Sequence, residues 1–74
     1  MKTAYRKILK PITVTYWGGR TELLPENKFV LCIPKMDKEH KRVVALDGAC
    51  INEIANELLS EETYENVPWN EIVG

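Results

Sequence analysis

Apolar and polar residues alternate most cleanly in ITVTYWGGRTELL, residues 12–24. Ile12, Val14 and Tyr16 take turns with Thr13, Thr15 and Trp17, and successive side chains of a strand point to opposite faces. β-Branched and aromatic residues also favour a pleated surface. Gly18 and Gly19 then supply the positive φ angles that a tight hairpin turn needs. The pattern predicts a hairpin with strands at about 12–17 and 20–25. With Trp17 paired to Arg20, Val14 stands opposite Leu23 and Tyr16 opposite Thr21. The reverse face then holds Thr13, Thr15, Trp17, Arg20, Glu22 and Leu24.

Beyond a turn at Pro25-Glu26-Asn27-Lys28, residues 29–33 (FVLCI) are apolar on both faces, which predicts a central strand. The charged segment PKMDKEHK, residues 34–41, reads as an exposed loop, and residues 42–46 as a fourth strand. Asp47-Gly48 interrupts it, with Asp47 placed to cap a helix after the break. In ACINEIANELL the apolar residues Cys50, Ile51, Ile54, Ala55, Leu58 and Leu59 recur at i, i+1, i+4, i+5, i+8 and i+9. That spacing predicts an amphipathic helix over about 49–60. Ser60 with Glu61 and Glu62, and later Pro68, suggest a short helical C-terminal turn within 61–73. Residues 1–10 fit a strand or a helical turn, and Pro11 ends either.

The expected architecture is therefore one α+β domain spanning 1–74. A small antiparallel β-sheet of three to five strands packs one face on the single C-terminal helix, since so small a sheet is not stable bare. An SH3-like small barrel is the second architecture the pattern allows.

The chain has 74 residues. A domain of that size buries only about 60% of its unfolded surface, so each large apolar side chain matters. The longest apolar run, residues 29–33, falls far short of the roughly 18 residues of a membrane span. The N-terminal MKTAYRKILK lacks the apolar h-region of a secretory signal. Together these predict a cytoplasmic protein without a membrane partner. Cys32 and Cys50 are then expected to be reduced thiols, partly buried. With one His and no tight Cys pair, neither a metal nor a cofactor is expected.

Net charge is −1, but its distribution is uneven. All ten Lys and Arg lie in residues 1–42 beside four acids, a net +6, whereas residues 43–74 carry seven acids and no base, a net −7. The two parts attract each other and present opposite charge outward.

No motif points to catalysis. His40 sits among loop charges, and so do Asp37 and Glu39. Gly18-Gly19 lacks the Lys-Ser/Thr and the helix of a phosphate loop, and Ser60 has no neighbouring base. The expectation is a non-catalytic protein of accessory, regulatory or inhibitor type that acts by protein–protein recognition, with homodimerisation as one form of it. Trp, Tyr and Arg are the usual anchors of such surfaces, which selects Thr15, Trp17, Arg20 and Glu22, with Trp69 as a second patch. The alternative is a nucleic-acid-binding module using Arg6, Lys7, Lys10, Lys41 and Arg42. Against it stands a pI of about 5.8, where dedicated nucleic-acid domains are usually above 9. Finally, YENVPWNEIVG, residues 64–74, is apolar enough to be a closing piece of the core, with Trp69 and Ile72 taken out of water, or else a peptide offered to a partner.

Overall fold

Two antiparallel sheets carry the fold, described over residues 4–46 and 50–73 of a computed structural model. The strands are β1 (Ala4–Lys7), β2 (Ile12–Thr15), β3 (Thr21–Leu24), β4 (Phe29–Cys32), β5 (Lys41–Leu46) and β6 (Cys50–Ala55). β1, β4, β5 and β6 form one sheet in that order, and β2 with β3 forms a separate hairpin. Three short 3-10 turns, Pro34–Met36, Asn56–Leu58 and Trp69–Glu71, are the only helical elements among the described residues.

The α+β expectation is thus corrected: the protein is mostly β, in two sheets rather than one, and no C-terminal helix packs on either. Where a helix over 49–60 was expected, residues 50–55 pair with β5 along its whole length, from Lys41 opposite Ala55 to Leu46 opposite Cys50. The local pattern of this segment is helical, with apolar residues in pairs four apart. The helical stripe holds six apolar side chains, yet only Ile54 and Leu59 of them are buried. An isolated helix of this length is marginal, and Ile and Asn are weaker helix formers than Ala or Leu. Six ladder positions beside β5 win over that propensity. The proposed cap at Asp47 lies outside the described residues. Nor is 61–73 a helical turn throughout, because 3-10 structure is confined to Trp69–Glu71.

The hairpin register also differs by one residue. Ile12 faces Leu24, Val14 faces Glu22 and Thr15 faces Thr21. The turn is a three-residue loop, Trp17-Gly18-Gly19. It is closed by Tyr16 N–H on Arg20 C=O at 2.6 Å and Gly19 N–H on Tyr16 C=O at 3.0 Å. Gly18 and Gly19 sit at φ +104° and +93°, where a side chain would be strained. A one-residue slip moves every side chain of the strand to the other face. Hence Leu24 is fully buried while Leu23 is 62% exposed.

The core lies between the inner face of the hairpin and one face of the four-stranded sheet. It contains Ile8, Ile12, Val14, Tyr16, Leu24, Val30, Cys32, Val44, Leu46, Ile54 and Leu59. Alternation puts Val30 and Cys32 of β4 and Val44 and Leu46 of β5 on that inner face.

The chain beyond β6 returns to the free side of β1. Tyr64 exchanges two backbone hydrogen bonds with Tyr5, at 2.9 and 2.7 Å, and meets Phe29 edge-on with ring centroids 5.2 Å apart. Val73 N–H bonds Phe29 C=O at 2.8 Å, and the Val73 side chain packs against the core. The tail therefore closes on the sheet with Tyr64, Ile72 and Val73 half-buried, none of its described side chains being buried outright. Trp69 is 86% exposed, contrary to its expected burial.

Candidate functional site

The hairpin and β6 meet edge to edge, and the gap between them is the candidate site. Along β5, Val43 points its backbone toward β4, since Ile33 N–H bonds Val43 C=O at 2.9 Å. Antiparallel pairs alternate, so the β5–β6 bonds fall at Asn52, Ile54 and Cys50, and the backbone groups of Ile51, Glu53 and Ala55 point outward. β6 is the last strand of its sheet. On the hairpin side, the ladder bonds fall at Tyr16 and Arg20, which leaves the Thr15 carbonyl facing out as well.

Thr15, Tyr16 and Trp17 from the hairpin, Cys50, Ile51, Asn52 and Glu53 from β6, and Lys41 from β5 line an open groove of about 820 Å³. Its apolar wall is exposed: Trp17 is 92% and Ile51 55% accessible. One side chain spans the gap. Asn52 Nδ2 donates to Thr15 C=O at 3.3 Å, and Glu53 N–H donates to Asn52 Oδ1 at 3.0 Å.

The polar end of the groove is a small charge cluster. Lys38 hydrogen-bonds Glu53, and Lys41 Nζ lies 3.8 Å from its other carboxylate oxygen. The Lys38 hydrogen bond, reinforced by the charges of Lys38 and Lys41, holds the Glu53 carboxyl below its ordinary range.

The residues expected to form a protein-binding face divide between two faces. Thr15 and Trp17 enter the groove. Arg20 and Glu22 turn to the other side of the hairpin, where they cover Tyr16: the guanidinium carbon lies 4.1 Å from its ring centroid and Glu22 accepts its hydroxyl proton. The register slip separates the pairs. Trp69, on its own 3-10 turn, is not among the groove residues.

The basic residues of the nucleic-acid alternative are also spread out. Arg6 Nη1 donates to the carbonyls of Ser60 and Glu61 at 2.7 and 3.0 Å. Arg42 is largely covered; its Nε lies 3.6 Å from Asp37 Oδ2 and its Nη1 donates to Lys38 C=O at 3.1 Å. Lys41 leans on Glu53. Lys10 is exposed, and Lys7 gives its backbone N–H to Ser60 Oγ. Arg6, together with Lys28 on Asn70 C=O, holds the acidic part by backbone carbonyls, whereas Lys38 and Lys41 hold it by the Glu53 carboxylate.

The two thiols differ. Cys32 is buried, and desolvation raises its pKa above the ordinary thiol value, with the charge of Arg6 opposing. Cys50 is exposed at the groove, not partly buried as expected. His40 is exposed, 3.9 Å from Glu39. Among the described residues, no group of three or more His, Cys, Asp or Glu is placed to hold a metal ion, and no helix is long and apolar enough to cross a membrane.

Cys50, Ile51 and Asn52 escaped sequence reasoning because they were assigned to a helix. The apolar residues of CINEIA come in pairs and do not alternate, so the local signal is only its place after a strand and a three-residue break containing Gly48. Comparison with protein-family models, curated proteins and solved structures finds no match to this chain.

Proposed function

We propose that this is a non-catalytic binding protein that acts by recognising another protein through the groove between the hairpin tip and β6. One observation carries the reading: Trp17, the largest apolar side chain of the hairpin, stands almost wholly in water beside exposed Ile51. Exposed apolar side chains gathered at a concave edge, with charges at the rim, suit a protein interface, where Trp is a frequent anchor. Covering Trp17 would recover roughly 1.5–3 kcal/mol of apolar burial. Trp69 is a second exposed anchor on a separate patch. A cytoplasmic location belongs to the same proposal and is supported by two unpaired cysteines.

The nucleic-acid alternative has less support, because Arg6 and Arg42 are engaged within the chain and Lys41 sits at a carboxylate. Binding to a mixed DNA and RNA pool at about 50 mM salt that is lost at about 200 mM would favour it over the groove. The direct test is affinity capture from the native host's lysate. Trp17→Ala is expected to lose the recovered partner while keeping the fold; an undiminished partner would overturn the assignment.

A further inference from the structure

Two outward-facing strand edges, β2 at Thr15 and β6 at Glu53, are joined by a side chain where a ladder would join them by backbone. We propose that Asn52 is a latch: it holds the tip of the β2–β3 hairpin against β6 and so sets where Trp17 stands over the groove. The amide is suited to this because its two halves do opposite work. Oδ1 accepts the outward N–H of Glu53 at 3.0 Å and Nδ2 donates to the outward carbonyl of Thr15 at 3.3 Å. Thr15 lies two residues before Trp17, and the segment between them is Tyr16, whose side chain is buried. A shift of the Thr15 carbonyl therefore moves Trp17 with it. The same side chain occupies the Glu53 N–H, the position an added strand would need, and so protects an edge that would otherwise invite pairing. Asn52 is in this sense a positioning residue. Its effect on binding rests on the proposed recognition role, whereas the latch itself does not.

Substitutions can separate the two halves. Asn52→Asp keeps an acceptor for Glu53 N–H and removes the donor to Thr15; Asn52→Ala removes both. The measurements are amide hydrogen exchange and ¹⁵N relaxation on the intact protein, with core amides such as Ile54 reporting the fold. In Asn52→Ala, exchange at Glu53 should quicken by roughly fivefold, the equivalent of one ordinary hydrogen bond. Order parameters across Thr15–Arg20, including the Trp17 indole, should fall. In Asn52→Asp the Glu53 amide should stay within about twofold of the parent by the same reasoning, while the hairpin loosens as in Asn52→Ala. Hairpin order unchanged in both variants overturns the latch, and so does an Asn52→Asp hairpin that matches the parent. For the binding consequence, a partner that needs Trp17 should be held less tightly by both Asn52 variants, and equal retention overturns that link. Retention by Trp17→Ala would instead sink the recognition role and leave the latch measurements standing.

Discussion

Replacing Leu24 and Leu23 by alanine in turn tests the hairpin register, on which the position of the groove depends. Leu24 is fully buried in the core, paired across the hairpin with Ile12, whereas its neighbour Leu23 is 62% exposed. Removing a buried leucine side chain loses its transfer energy and leaves a cavity, together about 2–5 kcal/mol. A domain of this size has roughly 4–11 kcal/mol in total, so Leu24→Ala removes a large part of it. In this size range 1 kcal/mol shifts Tm by about 4–8 °C, so melting should fall by on the order of 10 °C or more. Leu23→Ala should change stability by no more than about 0.5 kcal/mol. Urea unfolding with a shared m-value gives both numbers. If Leu23→Ala proves the more costly, the hairpin is paired one residue over, and the division of Trp17 from Arg20 and Glu22 fails with it.

In the tail, Tyr64→Ala should cost about 1–3 kcal/mol, through lost partial burial and the edge-on contact with Phe29. Trp69→Ala should stay within about 0.5 kcal/mol; a larger loss would mean that Trp69 is covered. A maleimide at about pH 7 should label Cys50 in the native protein and reach Cys32 only on unfolding, since burial keeps Cys32 protonated and shielded; rapid labelling of both would contradict this. Glu53 has a lowered folded pKa, so its stabilising contribution is present above the unfolded carboxylate value of 4.5 and is lost as pH falls through the folded one. Glu53→Gln should therefore lower Tm slightly at about pH 7, with the difference shrinking as pH falls through the lowered folded value and also in high salt.

Some of this was legible in the chain. The alternation of Ile12, Val14 and Tyr16 marks a buried face, and all three are buried. Positive φ at Gly18 and Gly19 comes from the need for a reversal. The register was not legible, because adjacent Leu23 and Leu24 let either face serve as the apolar one, and a two- or three-residue loop accommodates the same glycines. The segment 50–59 fits a helical stripe by its local pattern, with apolar residues in pairs four apart. What decides it is the ladder with β5, which a local pattern cannot show. The groove suffered most. Thr15 and Trp17 were within reach of sequence reasoning, yet Ile51 and Asn52 join them only once β6 is known to be an edge strand.

The charge division reads differently with the fold in hand. Arg6 and Lys28 use the basic part to hold carbonyls of the acidic part, so some of the asymmetry serves closure of the tail onto β1 and the Lys28–Phe29 segment. Under the proposed recognition role, the surface left for a partner is the hairpin tip and its groove, with exposed Trp69 as the second patch. The most direct test is quantitative affinity capture from the native host with four baits: the parent, Trp17→Ala, Trp69→Ala and Leu23→Ala, each shown to fold. The groove account predicts that a partner recovered with the parent is lost with Trp17→Ala and retained with the other two. Equal recovery by the parent and Trp17→Ala would contradict it.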